Sequence, residues 1–278
     1  MDALIAAALS TNQDNLALGN ELFAAEGARF IRNAAAPDVR DANLIDSITA
    51  ASPAQIEALL ARAARAYVHC RHLRCDVDPR TPPQFEARLR LDPAWSWSEV
   101  LLLVLDGELG AKPPPFDVRR IDGEAGWQAF AALHALNWQE HAERGDEAGA
   151  AIAAIMRGKA PPRRFWLGCI DGMPRGYLSS WEGTNGVGQV ESLFVQREFR
   201  HRGLATALLA RGLRDCREHG AGPIVITTDA SDTPKQLYAA LGWRPLALKR
   251  SYLKPLPKRS AAGARAPAES GQAGGEKV

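Results

Sequence analysis

Nothing in this 278-residue chain approaches the roughly eighteen consecutive apolar residues that a membrane-spanning helix requires. Apolar runs such as Ala3–Leu9 and Val100–Leu105 stop far short of that length. The first follows Asp2 rather than a basic segment, so it reads as a helix and a poor secretory leader. Cysteine is scarce too. Four residues (Cys70, Cys75, Cys169, Cys216) are too few to staple a chain this long, which points to a reducing compartment and a cytoplasmic protein. An excess of charge of one sign is also missing: Lys+Arg 34 against Asp+Glu 32 leaves +2, which argues against nucleic acid as the partner.

What is present is the composition of a globular protein, 46% hydrophobic and 24% charged, long enough for two ordinary domains with their own cores. The strongest punctuation is Gly110–Phe116, where three consecutive prolines exclude both helix and central strand. Residues 107–115 are therefore expected to be a Pro-rich linker between an N-terminal unit, 1–106, and a C-terminal one, 116–254. After Lys254 the apolar period vanishes, and 255–278 is expected to be a disordered tail.

Between linker and tail the periodicities alternate. Strands are expected at 116–121, 164–170, 175–181, 188–196, 224–228 and 243–252, and helices at 123–143, 148–157, 203–219 and 232–241. Asp171-Gly172 is a hairpin turn signal. This order predicts an α/β fold with a mixed, partly antiparallel sheet flanked by helices. The N-terminal unit reads as a smaller α/β domain: strands at 28–32, 42–48, 69–77 and 99–105, helices at 53–67 and 83–91. Its closing β-α-β-α-β order matches the end of the C-terminal unit, as in a diverged, degenerate duplication.

One segment carries chemistry. In Val190-Glu-Ser-Leu-Phe-Val195-Gln-Arg-Glu-Phe-Arg200-His-Arg-Gly203-Leu-Ala205-Thr206 a strand runs into a basic loop and then a helix start. Such a junction gathers backbone N–H groups and the positive helix end around one point, which suits a diphosphate. Arg200-His-Arg-Gly203-Leu-Ala205 resembles the Arg/Gln-x-x-Gly-x-Gly/Ala signature of the GNAT superfamily of acyl-CoA-dependent N-acyltransferases. Downstream, Ile226–Trp243 resembles that family's strand, helix and Tyr-x-x-x-Gly-aromatic ending, with Ser231 where Asn is usual and Pro234 where Ala is usual. The resemblance covers about Phe116–Lys254.

It implies an N-acetyltransferase moving acetyl from acetyl-CoA to a primary amine by direct attack in a ternary complex. It implies a GNAT-like catalytic domain and no metal. Cofactor contacts are implied for Leu193, Phe194, Val195, Arg200, His201, Arg202, Gly203, Leu204, Ala205, Thr206 and Ser231, with an N–H at a strand bulge around Leu193–Val195 facing the thioester oxygen. Tyr238 occupies the place of the residue that protonates the leaving thiolate. Glu191 shares a strand face with Leu193 and is the candidate base, or else a solvated carboxylate. Glu140 and His141 are candidates to line the acceptor pocket. The rival reading is a non-catalytic acyl-CoA sensor or scaffold. The acceptor is expected to be a small-molecule or peptide amine, without nucleic acid or membrane, on a monomer or homodimer.

Two further motifs are weighed against structural readings. His69, Cys70, His72 and Cys75 suggest zinc, but strand alternation sends them to opposite faces, so no metal is expected. Trp95 and Trp97 are expected to pack a domain interface. The N-terminal unit is expected to bind no acetyl-CoA, because its strand-to-helix junctions at 48–53 and 78–83 carry proline in place of glycine.

Overall fold

The computed structural model describes residues 2–140, 146–231 and 234–256. The first helix, α1 (Ala3–Ala17), is capped by the Asp2 carboxylate, which accepts from Leu4 N at 2.9 Å. Then come β1 (Glu21–Ala25), β2 (Ala28–Arg32), β3 (Leu44–Asp46), α2 (Pro53–Ala66), β4 (His72–Val77), α3 (Pro83–Arg90) and β5 (Ser96–Leu105). The C-terminal half runs β6 (Asp117–Arg120), α4 (Glu124–Gln139), α5 (Asp146–Gly158), β7 (Arg164–Ile170), β8 (Met173–Trp181), β9 (Gly188–Val195), α6 (Leu204–Glu218), β10 (Ile224–Asp229), α7 (Pro234–Ala240) and β11 (Arg244–Pro255). The mixed α/β fold read from the sequence is the fold observed.

Among the described residues all strands join one 11-stranded sheet, in the order β1-β2-β3-β4-β11-β5-β10-β9-β8-β7-β6. Most neighbours are antiparallel; β3–β4 and β9–β10 are parallel. The centre of the sheet is an exchange of strands. β11, last in the chain, lies between β4 and β5, while β5 lies between β11 and β10. The sheet therefore does not stop at the prolines. That segment packs on the C-terminal half: Gly110 N donates to Leu241 O at 2.9 Å, and Pro114 lies against Gly203.

Local chemistry explains the elements. The Asp171-Gly172 turn takes φ of 52° and 73°, the left-handed pair that a two-residue hairpin between right-twisted strands needs. Helix α6 buries Leu204, Leu208, Leu209, Leu213 and Cys216 as one stripe against Trp166, Leu178 and Val190 of the sheet. On the opposite face, Phe130 of α4 packs on Phe165 and Tyr177. Helix α1 lies on this second face also, its Ala8 and Leu9 against Leu102, Val104, Val187 and Val225.

Three expectations need revision. The strand β1 is additional, and it makes a hairpin with β2 through the left-handed Glu26 and Gly27. The expected strand at 42–48 is a single 3-10 turn (40–42) followed by the three-residue β3, because only Leu44–Asp46 pair with β2 before Ser47 turns into the left-handed region at φ of 50°. The two tryptophans part company. Trp95 lies in a turn before β5, its N–H bonded to Asp92 O, and sits in the N-terminal core; Trp97 is 51% exposed beside Arg90 and Tyr252. Residues 257–278 of the expected tail lie outside the described residues.

Candidate functional site

The site starts where two parallel strands part. β9 and β10 pair at Gly188–Ile224 and Gln189–Val225 and nowhere beyond. At the fork the Thr227 N–H, which has no ladder partner on β9, donates to Glu191 Oε1 at 3.0 Å. The Thr227 hydroxyl (2.7 Å) and Gln189 Nε2 (2.7 Å) converge on the same oxygen. Glu191 is thus a bracket across the fork, with one carboxylate oxygen carrying three donors.

One residue further on, β9 bulges. Ser192 adopts φ of 59°, and the register with β8 shifts between Tyr177–Phe194 and Ser179–Glu191. The extra residue lies within Ser192–Leu193, opposite Leu178, so the bulge meets the start of the expected Leu193–Val195 stretch. Beyond it Phe194 is buried against Tyr177 and Val195 enters the core under α6, while Leu193 is half-buried.

The chain then turns through residues 196–203 into α6. Gly203 has φ of +89°, and a Cβ there would sit 2.5 Å from Pro114 Cγ. Both the backbone and the crowding demand glycine, so its absent side chain answers the Pro-rich segment as well as the loop. No side chain caps α6. Its first helical bond is Ala207 N to Gly203 O, which leaves the N–H groups of Leu204, Ala205 and Thr206 without helical acceptors at the positive end of the dipole.

The basic residues divide in role. Arg200 donates from Nε to Val195 O at 2.9 Å and pairs with Glu140, the residue that caps the end of α4, so it braces the loop. His201 and Arg202 are exposed on the loop surface, Arg202 over the Phe199 ring. Glu140 thereby holds the loop from the second face; His141 lies outside the described residues. Ser231, exposed at the end of β10, is folded back on Asp229, donating from N (2.8 Å) and Oγ (2.6 Å) to its carboxylate. Tyr238 of α7 is buried against Trp243, in the same core cluster as Leu204, Leu208 and Ile226.

The face opposite α6 holds groups that sequence reading missed. Arg163 is buried and donates to Ser179 Oγ at 2.8 Å and to Ser192 Oγ, on the bulge, at 3.1 Å. Lys159, buried as well, donates to the carbonyls of Asn15 (2.8 Å) and Leu16 at the end of α1. Burial, aided by neighbouring Arg163, pushes the Lys159 ammonium down to about 7. Burial likewise lowers Arg163 to about 10. The available signal was the run Lys159-Ala-Pro-Pro-Arg-Arg164, basic residues pressed against the apolar start of β7. On the α6 side, the Asp215 carboxylate accepts from Arg164 Nε and Ser180 Oγ, both at 2.6 Å, and so locks α6 to the sheet.

The N-terminal half has the corresponding junction, differently built. Helix α2 begins with Pro53 and closes a capping box: Ser52 Oγ accepts from Gln55 N, and Gln55 Oε1 accepts from Ser52 N and Ala51 N. The N–H groups of Ala51, Ser52 and Gln55 are thereby consumed within the chain. His69 and His72 do not converge with Cys70 and Cys75, and no metal-holding group of His, Cys, Asp and Glu occurs among the described residues. Among those residues, too, no helix is long and apolar enough to cross a membrane.

Residues 127–243 match the acetyltransferase (GNAT) family model. In structure the chain is similar to a GCN5-related N-acetyltransferase from Kribbella flavida, at 18% identity and a TM-score of 0.68, over 92% of this chain and 96% of that one. A functionally unknown conserved protein from Staphylococcus epidermidis ATCC 12228 aligns with a TM-score of 0.66 at 14% identity, over 86% of this chain and 95% of that one. A tandem GNAT protein from the clavulanic acid biosynthesis pathway gives 0.56 at 17%, over 84% and 79%. No relative among curated protein sequences matches. At these identities the likeness is one of fold, and it extends across both halves. A parallel fork, a bulged strand and an uncapped helix start thus lie within the stretch, residues 127–243, that is similar to the GNAT acetyltransferase family model.

Proposed function

We propose that the protein is an N-acetyltransferase that transfers acetyl from acetyl-CoA to a primary amine by direct attack in a ternary complex. The observation that carries this reading is the fork between β9 and β10, which ends at the uncapped start of α6. A parting of parallel strands leaves unpaired backbone on both sides of a slot, suited to an extended amide-bearing arm. The N–H groups of Leu204, Ala205 and Thr206 at the positive helix end suit its diphosphate. Loop residues Arg200, His201 and Arg202 and the Gly203 backbone shape that cradle, and Ser231 borders the arm from β10.

In this reading the amine lone pair attacks the thioester carbon. Charge grows on the thioester oxygen, and a backbone N–H beside the Ser192 bulge, at Leu193–Val195, is the donor for it. Carbon–sulfur cleavage leaves a thiolate, which takes its proton from the Tyr238 hydroxyl. Glu191 faces the acceptor side. One carboxylate oxygen is committed to Thr227 and Gln189, and the other accepts the amine's proton, directly or through a water. No metal enters the scheme. The N-terminal unit walls the acceptor side through α1, whose end holds Lys159.

The test is a pair of measurements on the full chain: calorimetric titration with acetyl-CoA, and thiol release from it with a mixed panel of amines. Saturable binding with amine-dependent thiol release is the expected result. Binding without release for any amine would favour an acyl-CoA sensor, and no binding would remove the reading.

A further inference from the structure

We propose that the cleft at the β6–β7 edge is an anion subsite, and that the acceptor is an amine carrying a carboxylate or phosphate group. The amine part of this proposal rests on the acetyltransferase reading; the anion part rests on the cleft itself. The cleft measures about 660 Å³ and lies among the ends of β6 and β7, α4 and the 157–164 segment. Four arginines line it, Arg120, Arg157, Arg163 and Arg164, against a single carboxylate, Asp122.

Their partners separate these arginines into two kinds. Arg164 is satisfied by Asp215 at 2.6 Å and Glu182 at 2.7 Å, and Arg157 by Glu124 at 2.8 Å. Arg120 has no acidic partner among the described residues, and Arg163 has two neutral hydroxyls in place of a carboxylate. Glu191 and Asp41 act on Arg163 only at a distance, with no carboxylate in hydrogen-bond contact among the described residues; a buried guanidinium so placed is costly, and a bidentate oxyanion is the group that offsets it. The planar fork fits carboxylate and phosphate alike. Position ties the cleft to the chemistry. Arg163 lines the cleft and, through the same guanidinium, holds Ser192 on the bulge where the acyl group is placed. An anion drawn to Arg120 and Arg163 would hold a small acceptor against that bulge, with its amine free to face Glu191.

Product binding tests the subsite without any turnover. The full chain would be titrated by ligand-observed NMR with N-acetylglycine, with its neutral isostere N-acetylglycinamide, and with N-acetyl-O-phosphoethanolamine. The acid or the phosphate should bind about tenfold or more tightly than the amide, as expected for a charge-assisted bidentate pair. That preference should vanish in Arg120→Ala, an exposed position whose truncation spares the core, and shrink in Arg163→Lys. The stronger of the two anionic arms identifies the oxyanion. Equal binding of acid, phosphate and amide, or a preference unchanged in both variants, would overturn the subsite. Anion preference lost in the variants, but with thiol release from acetyl-CoA by neither glycine nor O-phosphoethanolamine, would keep the subsite and remove the acetyl-transfer reading. Thiol release by glycinamide as fast as by glycine and O-phosphoethanolamine would do the reverse.

Discussion

At the residue scale, the groups proposed for chemistry and the groups that hold the fold differ in what surrounds them. Tyr238, the proposed acid, combines a buried ring, packed edge-on against Trp243, with a place in the core under α6, the helix that follows the Arg200–Gly203 loop. Tyr238→Phe keeps the ring and removes only the proton. Turnover should fall by roughly ten- to ten-thousand-fold while acetyl-CoA affinity stays nearly constant, as steady-state kinetics and calorimetry on the same variant would show. Wild-type turnover would take Tyr238 out of the mechanism. Two histidines belong to the other class. Burial pushes both His72 and His134 down to about 4, and His134 packs flat on Phe130 with its Nδ1 on the Tyr177 hydroxyl. Each therefore binds a proton more readily in the unfolded chain than in the folded one. Their contribution to stability is complete above the ordinary histidine value of about 6.5 and is lost as pH falls toward 4, on the order of 3 kcal/mol for each. Urea midpoints at pH 7, 5 and 4 should fall steeply, and more gently in His72→Gln or His134→Gln. Parallel slopes would show that these rings do not carry the acid sensitivity.

At the scale of elements, two strand-to-helix junctions in one chain differ in how they spend their N–H groups. The start of α6 has glycine in the left-handed region and no cap, whereas the start of α2 has proline and a closed capping box. A diphosphate at α2 would compete with Ser52 and Gln55 for donors already satisfied, each such bond being worth about 1 kcal/mol. Equilibrium titration should thus give one acetyl-CoA per chain, with a stoichiometry unaffected by Ser52→Ala. A value of two would mean that α2 opens its cap to ligand. The parallel β9–β10 pair shows the same economy: a ladder that stops after two residue pairs leaves the Thr227 N–H to Glu191.

At the scale of the whole molecule, the exchange of β5 and β11 makes each half depend on the other. Tyr252 of β11 is fully buried in the N-terminal core, and Leu103 and Leu105 of β5 are buried in the core under α6. A fragment 1–110 lacks β11 and would expose the edges of both β4 and β5, a known route to aggregation. It should fail to unfold cooperatively alone, and co-expression with 111–278 should recover a soluble complex. The intact chain should show one urea transition, coincident by tryptophan fluorescence and circular dichroism. Two separated transitions would show that the halves are energetically independent.

Much of this protein is local and therefore legible from residues alone. Periodicity placed α6 and β10 within a residue or two because one buried stripe or one β-branched run sets each element, and Asp171-Gly172 announced its own turn. The resemblance at Arg200–Ala205 was legible because the loop and helix start that it covers are built from consecutive residues. Other features depend on partners distant in the chain. The arm Arg200 extends goes to Val195 O and Glu140, and Gly203 is pressed by Pro114; neither contact has a local pattern. Arg163 and Lys159 lie at a proline-rich break, and their burial comes only from β7 and α1 closing over them. Strand order was least legible of all. β5 and β11 are apolar enough to pair with several neighbours, and hydrogen bonding between strands carries no sequence label, so only the packed sheet decided that each would complete the other's half.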